Sequence, residues 1–372
     1  MTILDCTLPK VICSNPDSKN NYFAWPTVGR LGDGTLAMVC SGFRIRHVCP
    51  FGKGVICYSK DEGVTWTNPE IIIDTPLDNR DCGIVVSGNS VIVTSFTNSV
   101  EFQRSWNTDE MHKNYGSCAL EEVDTYLDTI DDATEDRYLG SIYILSSDGG
   151  HTYSDIKKVP VTSPHGPCVD MEGRFVYVGR SFAEYSDNES SVTHRIECYI
   201  SDADGNFVKT ADIPSPDDAK GLVLCEPHAI VLPDGKIVVH IRAHSYDDGN
   251  RCFTLYQSES YDGGYTFTIP HRILSNLGGA PSHLMLHSSG ILIATYGYRE
   301  KPYGIRAMFS KDDGQTWDTD NVICDGFGSP DMGYPSTVEL DDGKLLTVYY
   351  SKDDIYNPAE ISQVIWDFKE DE

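Results

Sequence analysis

Apolar residues along this chain alternate in short runs broken by glycine turns, and the same sentence of sequence is written six times. An apolar strand, a turn and a second apolar strand recur as PTVGRLGDGTLAMV from Pro26, CGIVVSGNSVIVTSF from Cys82, GPCVDMEGRFVYVGR from Gly166, PHAIVLPDGKIVVHIR from Pro227, PSHLMLHSSGILIATY from Pro281 and PSTVELDDGKLLTVYY from Pro335. The turn glycines Gly34, Gly88, Gly173, Gly235, Gly290 and Gly343 supply the positive φ of tight hairpins, and Val, Ile, Leu and Tyr runs flank them. Successive glycines lie 54, 85, 62, 55 and 53 residues apart, which suits about four short strands per repeat, with an insertion in the long interval.

A second repeat is interleaved: SKDEGVTW at Ser59, SSDGGHTY at Ser146, SYDGGYTF at Ser260 and SKDDGQTW at Ser310, with a degenerate SDADGNF at Ser201. Its Asp carboxylate can accept backbone N–H bonds, its Gly takes the left-handed conformation, and its aromatic ring plugs against neighbouring strands. Because the Asp recurs at the same place in each copy, it reads as a turn-building part rather than a calcium ligand. Six four-stranded repeats predict an all-β fold, a six-bladed β-propeller of antiparallel sheets, in which radial closure leaves few exposed edges. Little chain follows the last hairpin, so the segment around Lys10 to Cys13 is expected to pair with the final blade and close the ring. Residues 1–372 are read as a single propeller domain, with an acidic insertion at about 101–138 that has room for a short helix.

Charge narrows the partners. With 56 acidic against 29 basic side chains, a formal balance of -27, the protein's field repels nucleic acid and anionic membrane. No segment reaches the roughly 18 uninterrupted apolar residues of a spanning helix, and the opening MTILDCTLPKVICSN lacks a basic then apolar leader. The expectation is a soluble, cytoplasmic protein. Twelve cysteines are scattered from Cys6 to Cys324 without a CxxC pair, which fits buried reduced thiols better than disulfides or zinc.

In a propeller the innermost strands line the channel, so residues at equivalent hairpin ends converge on one mouth. Those ends are where ionisable groups collect. The first hairpin ends in Arg44, Arg46 and His47; the second is entered through Asp78, Asn79, Arg80 and Asp81; the fourth is entered through Glu226 and His228 and left through Arg242 and His244; the fifth leads to Arg299 and Arg306; the sixth is entered through Asp331 and Tyr334. A lone Arg after a strand is ordinarily a surface ion-pairing residue, and a lone His ordinarily a packing group. Arginines gathered at one mouth of so acidic a chain point instead to an anionic ligand, because the planar guanidinium matches carboxylate or sulfate bidentately.

On these motifs the chain resembles the sialidase (neuraminidase) superfamily, six-bladed propellers marked by S-x-D-x-G-x-T-W boxes and known as BNR or Asp-box proteins. The resemblance implies an exo-glycosidase that hydrolyses a terminal acidic sugar, sialic acid by default, from a glycan. It assigns the Tyr nucleophile to Tyr334, its base to Glu226, and carboxylate-binding arginines to Arg242 and Arg306, with Arg44, Arg46, Arg80, His228 and Arg299 as further substrate-binding candidates. The opening stretch departs from the family. Ala24 of Phe23-Ala24-Trp25-Pro26 stands where the resemblance implies an Arg, and Arg46-His47-Val48 stands where an acid/base Asp is expected. His47, with an ordinary pKa of about 6.5, is therefore a candidate acid, and Asp81 a second one if burial raises it. The resemblance implies neither metal nor organic cofactor. Two other readings stay open: a glycosidase or lyase for another uronate-containing glycan centred on His47, and a carbohydrate-binding propeller without catalysis.

Overall fold

The computed structural model describes residues 2–106, 117–181, 195–202, 205–247, 249, 251–354 and 357–369. Six antiparallel sheets follow one another along the chain, each a blade of the expected propeller. The first blade, for example, runs Tyr22–Arg30, Leu36–Arg44, Lys53–Ser59 and Glu70–Ile73, and the fourth runs Val223–Val231, Ile237–Ser245, Cys252–Ser260 and His271–Arg272. Each predicted hairpin forms the first two strands of a blade. First strands of adjacent blades contact one another around the channel. Between blades the sheets pack face to face: Ala37, Val39 and Ile56 of the first blade meet Ile84, Val91, Val93 and Ile142 of the second in one buried layer.

The ring closes through the N-terminus. Lys10–Cys13 pairs antiparallel with Glu360–Lys369, matching Lys10 to Gln363 and Cys13 to Ile361, and Thr2–Cys6 continues along the same strand. The last blade is thus built from both ends of the chain. Between Ser90–Thr97 and Gly140–Ser146 the chain forms the helices Val100–Ser105, Ser117–Leu127 and Asp132–Tyr138. None of the described helices is long and apolar enough to cross a membrane. The described cysteines are all free thiols, most of them buried.

The Asp-boxes are self-contained turns. Asp61 accepts from the Thr65 N–H at 2.8 Å and the Thr65 hydroxyl at 2.6 Å, and the Gly63 N–H is held by the Ser59 hydroxyl at 2.9 Å. The same bonds recur around Asp148, Asp262 and Asp312. Those bonds hold the box carboxylates below their ordinary range, Asp262 at about 2. Two boxes also lock blade to blade. Gln257 of the fourth blade donates to Gly314 O and accepts from Trp317 Nε1 in the fifth blade's box, and Gln363 of the sixth does the same for Gly63 O and Trp66 Nε1 in the first.

One local device positions the mouth. In four blades the innermost strand carries a β-bulge, seen as a register shift across Ala24/Thr27, Arg80/Gly83, Cys225/His228 and Gly333/Ser336. Inside each bulge a non-glycine residue takes a left-handed backbone: Trp25 at φ 57°, Asp81 at 44°, Glu226 at 49° and Tyr334 at 50°. Such residues are strained by about 1–3 kcal/mol and persist where the surroundings over-determine them. Three of the four precede a proline.

Candidate active site

The bulges bring Glu226 and Tyr334, from the fourth and sixth blades, into direct contact. The Tyr334 hydroxyl donates to Glu226 Oε1 at 2.7 Å, and Arg242 Nη1 donates to Glu226 Oε2 at 2.6 Å and to the Tyr334 oxygen at 3.2 Å. All three side chains are largely sheltered, Arg242 and Tyr334 being only 5% exposed. Burial pushes the Tyr334 hydroxyl well above the ordinary phenol value, and the Glu226 charge pushes it further. Burial also works on Glu226, but the Arg242 charge and the hydrogen bonds from Tyr334 and Arg242 outweigh it, so the carboxyl sits below its usual range and is ionised. The phenol is protonated and faces an ionised acceptor.

Two guanidiniums face this pair. Arg242 lies 4.5 Å and Arg299 5.1 Å from the Phe253 ring centre, and Arg299 is 5.6 Å from that of Tyr334. Arg299 Nη2 is anchored on Met332 O at 3.0 Å. The buried Nε of both arginines has no hydrogen-bond partner among the described residues. Arg306, expected in the same pocket, is elsewhere: it sits across from Tyr296 on the next strand, its guanidinium over Tyr298 at 4.7 Å and its Nε facing Asp320 at 3.5 Å. Arg299 stands where Arg306 was expected because the loop entering the strand Tyr303–Ser310, not the strand itself, borders Tyr334.

On the opposite rim Asp81 is 6% exposed, and its Oδ1 has no hydrogen-bond partner among the described residues. Burial pushes its carboxyl up to about 7; the Arg80 charge pulls it down and the Glu226 charge pushes it up again. Arg80 lies over Trp25, its Cζ 4.1 Å from the ring centre. Its Nη1 donates to His47 O at 2.6 Å and its Nη2 to His47 Nε2 at 3.3 Å. His47 stacks on Trp106, which follows the helix Val100–Ser105, at 5.5 Å. Burial pushes its pKa down, with Asp331 opposing and Arg80 and Arg44 assisting.

The remaining candidates lie behind the mouth. Arg44 is fully buried, paired with Asp78 at 2.6 Å, and its other N–H groups go to Ser41 Oγ and the carbonyls of Asn79, Arg46 and His47. Arg46 is 1% exposed and donates through Nε to Val48 O at 2.9 Å. Both side chains are buried, so the reading of Arg44 and Arg46 as substrate-binding residues is corrected: they brace the loop carrying His47. His228 sits deeper in the channel, its Nδ1 accepting from the Leu284 N–H at 2.9 Å and its ring stacked on His283 at 4.6 Å with His165 edge-on at 5.5 Å. That corrects its reading as a substrate contact.

Sequence reasoning missed Trp25, Trp106 and Tyr246, the last an exposed ring whose hydroxyl accepts from Arg242 Nη2 at 3.1 Å. A signal for Trp25 was present: Trp25-Pro26 aligns with Glu226-Pro227 and Tyr334-Pro335 at the start of their hairpins. Among the described residues no cluster of three His, Cys, Asp or Glu side chains is placed to hold a metal ion.

Comparison with known proteins agrees with this architecture. A protein of unknown function from Dyadobacter fermentans superposes with a TM-score of 0.72 at 21% identity, over 97% of this chain and 98% of that one. The intramolecular trans-sialidase from Ruminococcus gnavus, solved with oseltamivir carboxylate, gives 0.63 at 14% identity over 96% and 97%. The Trypanosoma rangeli sialidase, solved with sialic acid, gives 0.60 at 16% identity over 98% of this chain and 59% of that one. At these identities the likeness is one of fold. No curated protein sequence matches the chain. Residues 126–347 match the BNR repeat-like domain, and with six closed blades and Asp-box turns around them, the chain belongs to that family as a sialidase-like BNR β-propeller.

Proposed function

We propose that this protein is a sialidase-like glycoside hydrolase that removes a terminal acidic sugar from a glycan, with sialic acid the first substrate to try. The observation that carries the reading is the Tyr334–Glu226–Arg242 contact together with the buried Nε atoms of Arg242 and the adjacent Arg299, which have no hydrogen-bond partner among the described residues. Buried N–H donors are costly unless a ligand meets them, and a carboxylate meets two of them at once.

Tyr334 is the nucleophile. Glu226 takes its proton as the phenolic oxygen bonds to the anomeric carbon, and the glycosidic C–O bond breaks; sialidases with a Tyr nucleophile depart from the two-carboxylate scheme in this way. A tyrosine raised so far above neutrality needs such a partnered base. Asp81, rather than His47, protonates the leaving oxygen: at about 7 its carboxyl is protonated in half the molecules at neutral pH and gives up its proton readily. His47 is held neutral with its Nε2 facing an Arg donor, which leaves it no proton there to give. In the second half, Asp81 takes a proton from water, water oxygen bonds to the anomeric carbon, and Tyr334 leaves with the proton returned by Glu226. Arg242 and Arg299 hold the substrate carboxylate.

A screen of aryl glycosides of acidic sugars and of acidic oligosaccharides, read as released monosaccharide, tests the proposal. Release by the native protein, lost in Tyr334→Phe and Glu226→Gln with the fold intact, supports it; equal rates in all three reject it.

A further inference from the structure

The cluster that ends the first hairpin has a use that its charge alone hides. Arginine N–H groups only donate, so His47 Nε2, 3.3 Å from Arg80 Nη2, is the acceptor and the neutral ring carries its proton on Nδ1. That nitrogen faces Asp331 Oδ1 at 3.3 Å and the Tyr22 hydroxyl at 3.0 Å. Asp331 in turn accepts from the hydroxyls of Tyr22 at 2.9 Å and Tyr350 at 3.0 Å, with Lys352 Nζ 3.7 Å away. The chain of contacts fixes the ring, and the ring with its own carbonyl oxygen brackets both terminal nitrogens of Arg80 over Trp25, while Asp78 Oδ2 lies 3.7 Å from Nη1. A protonated His47 would lose the acceptor and add a third charge beside Arg80 and Arg44. Neutrality is what lets three basic residues, Arg44, Arg80 and His47, share this corner.

We propose that His47 is a positioning residue, which as a neutral imidazole holds the Arg80 guanidinium beside Asp81 and so fixes the charge that Asp81 faces. Its importance for catalysis rests on the assignment of Asp81 as the acid. The contacts themselves do not. The titratable and charged groups facing His47 are Tyr22 and Arg44 of the first blade, Arg80 of the second, and Asp331 at the entry to the sixth, with Tyr350 and Lys352 behind Asp331. Those facing Asp81 are Arg80, Arg44, Asp78, Glu226, Tyr334 and Tyr350, with the thiols of Cys82 and Cys225. Arg80 is the strongest of the influences that oppose the burial of Asp81. Releasing it leaves burial, Glu226 and Asp78 opposed by Arg44 alone, and the carboxyl moves upward.

The test reads the Asp81 carboxyl directly, by carbon-13 NMR titration of aspartate-labelled protein without substrate, in the native chain and in His47→Ala, His47→Leu and His47→Gln. Loss of the acceptor in the Ala and Leu variants frees Arg80 Nη2 while Nη1 keeps the residue-47 carbonyl, and the weakened hold on this charge is expected to move the Asp81 midpoint upward by about half to one pH unit. The Gln amide oxygen restores an acceptor and is expected to bring the midpoint back toward the native value. Leu fills the space of the ring, so it decides the matter where Ala does not fold. A midpoint unchanged in Leu, or displaced equally in Gln, overturns the proposal. Because no turnover is measured, failure to find a glycan substrate would reject the proposed function and leave this result standing.

Discussion

The Tyr334 hydroxyl donates to Glu226 Oε1 at 2.7 Å across 108 residues of chain. Both side chains stand on left-handed bulge residues of innermost strands, so the contact belongs to the ring and not to either blade alone. Removing the hydroxyl leaves Glu226 still bonded to Arg242 at 2.6 Å, and no charge is orphaned. Tyr334→Phe is therefore expected to keep its thermal unfolding temperature while losing about a thousandfold or more in turnover. Parallel calorimetry and single-substrate kinetics on the variant check both halves.

On the proposed function, Arg299 is the residue whose loss separates carboxylate binding from chemistry. Its Nη2 is anchored on Met332 O and its Nε is buried without a partner among the described residues. Charge-assisted hydrogen bonds contribute about 1.5–3 kcal/mol each, so Arg299→Ala is expected to raise KM for an acidic glycoside by about tenfold to a hundredfold. The same glycoside with its carboxylate reduced to an alcohol should bind the native protein and the variant alike. Equal KM values for the acidic substrate in both proteins would count against the assignment.

The fold and the site were legible in the sequence to different depths. Turn glycines and Asp-boxes announce six blades because hairpin and box are local: each is closed by bonds within about eight residues, as around Asp61 and Thr65. The closure by Lys10–Cys13 followed from counting strands. Glu226, Arg242 and Tyr334 stand out in the sequence at hairpin ends, and the structure brings the three side chains into contact. Arg306 is assigned through the resemblance, whereas Arg299, on the preceding loop, is the one that lies beside Phe253 and Tyr334. The roles of Arg44 and Arg46 could not be read, since Asp78 and the carbonyls that hold them come from a neighbouring blade and from the loop's own folding. Whether an arginine faces ligand or core is decided by partners that sequence spacing does not reveal.

Asp81 predicts a pH dependence of stability whose sign is fixed by its raised pKa. In the folded protein the carboxyl titrates at about 7, whereas an unfolded Asp titrates at about 3.9. Between those values the folded state binds more protons, so the Asp81 contribution favours folding most at low pH and is lost as pH rises through 4 to 7. Up to about 4 kcal/mol is at stake over that window. Asp81→Asn removes the titration, so its stability relative to the native chain should rise as pH increases from 4 to 7 and level off above. Urea unfolding of both proteins at several pH values measures the difference, and a difference that stays flat would show that Asp81 ionises at its ordinary value.

The same pKa sets an activity limb. With Asp81 as acid, kcat/KM should fall tenfold per pH unit above about 7, and Asp81→Asn should flatten that limb while lowering the plateau by about a hundredfold or more. Substrates with a good leaving group, such as nitrophenol, need little protonation at the leaving oxygen. They should lose far less on the same substitution. A loss independent of the leaving group would place the defect in binding or folding instead.

Gln257 offers a contrast in which stability changes and chemistry does not. Its amide spans two blades, donating to Gly314 O at 2.8 Å and accepting from Trp317 Nε1 at 2.7 Å, with His240 Nε2 at 3.2 Å. It is fully buried, so truncation leaves a carbonyl and an indole N–H without their partner in a site closed to water. Each such group costs about 1–3 kcal/mol, and Gln257→Ala is expected to lose about 2–5 kcal/mol of unfolding free energy. Gln257 pairs with His240 on the neighbouring strand, two residues from Arg242, but its amide bonds run to the box turn of the next blade and not to Arg242. Turnover at a temperature where the variant remains folded should match that of the native chain. Gln363→Ala, which breaks the equivalent joint with Gly63 and Trp66 next to the ring closure, should lose a similar amount, and a loss confined to one of the two would show that the joints are not equivalent.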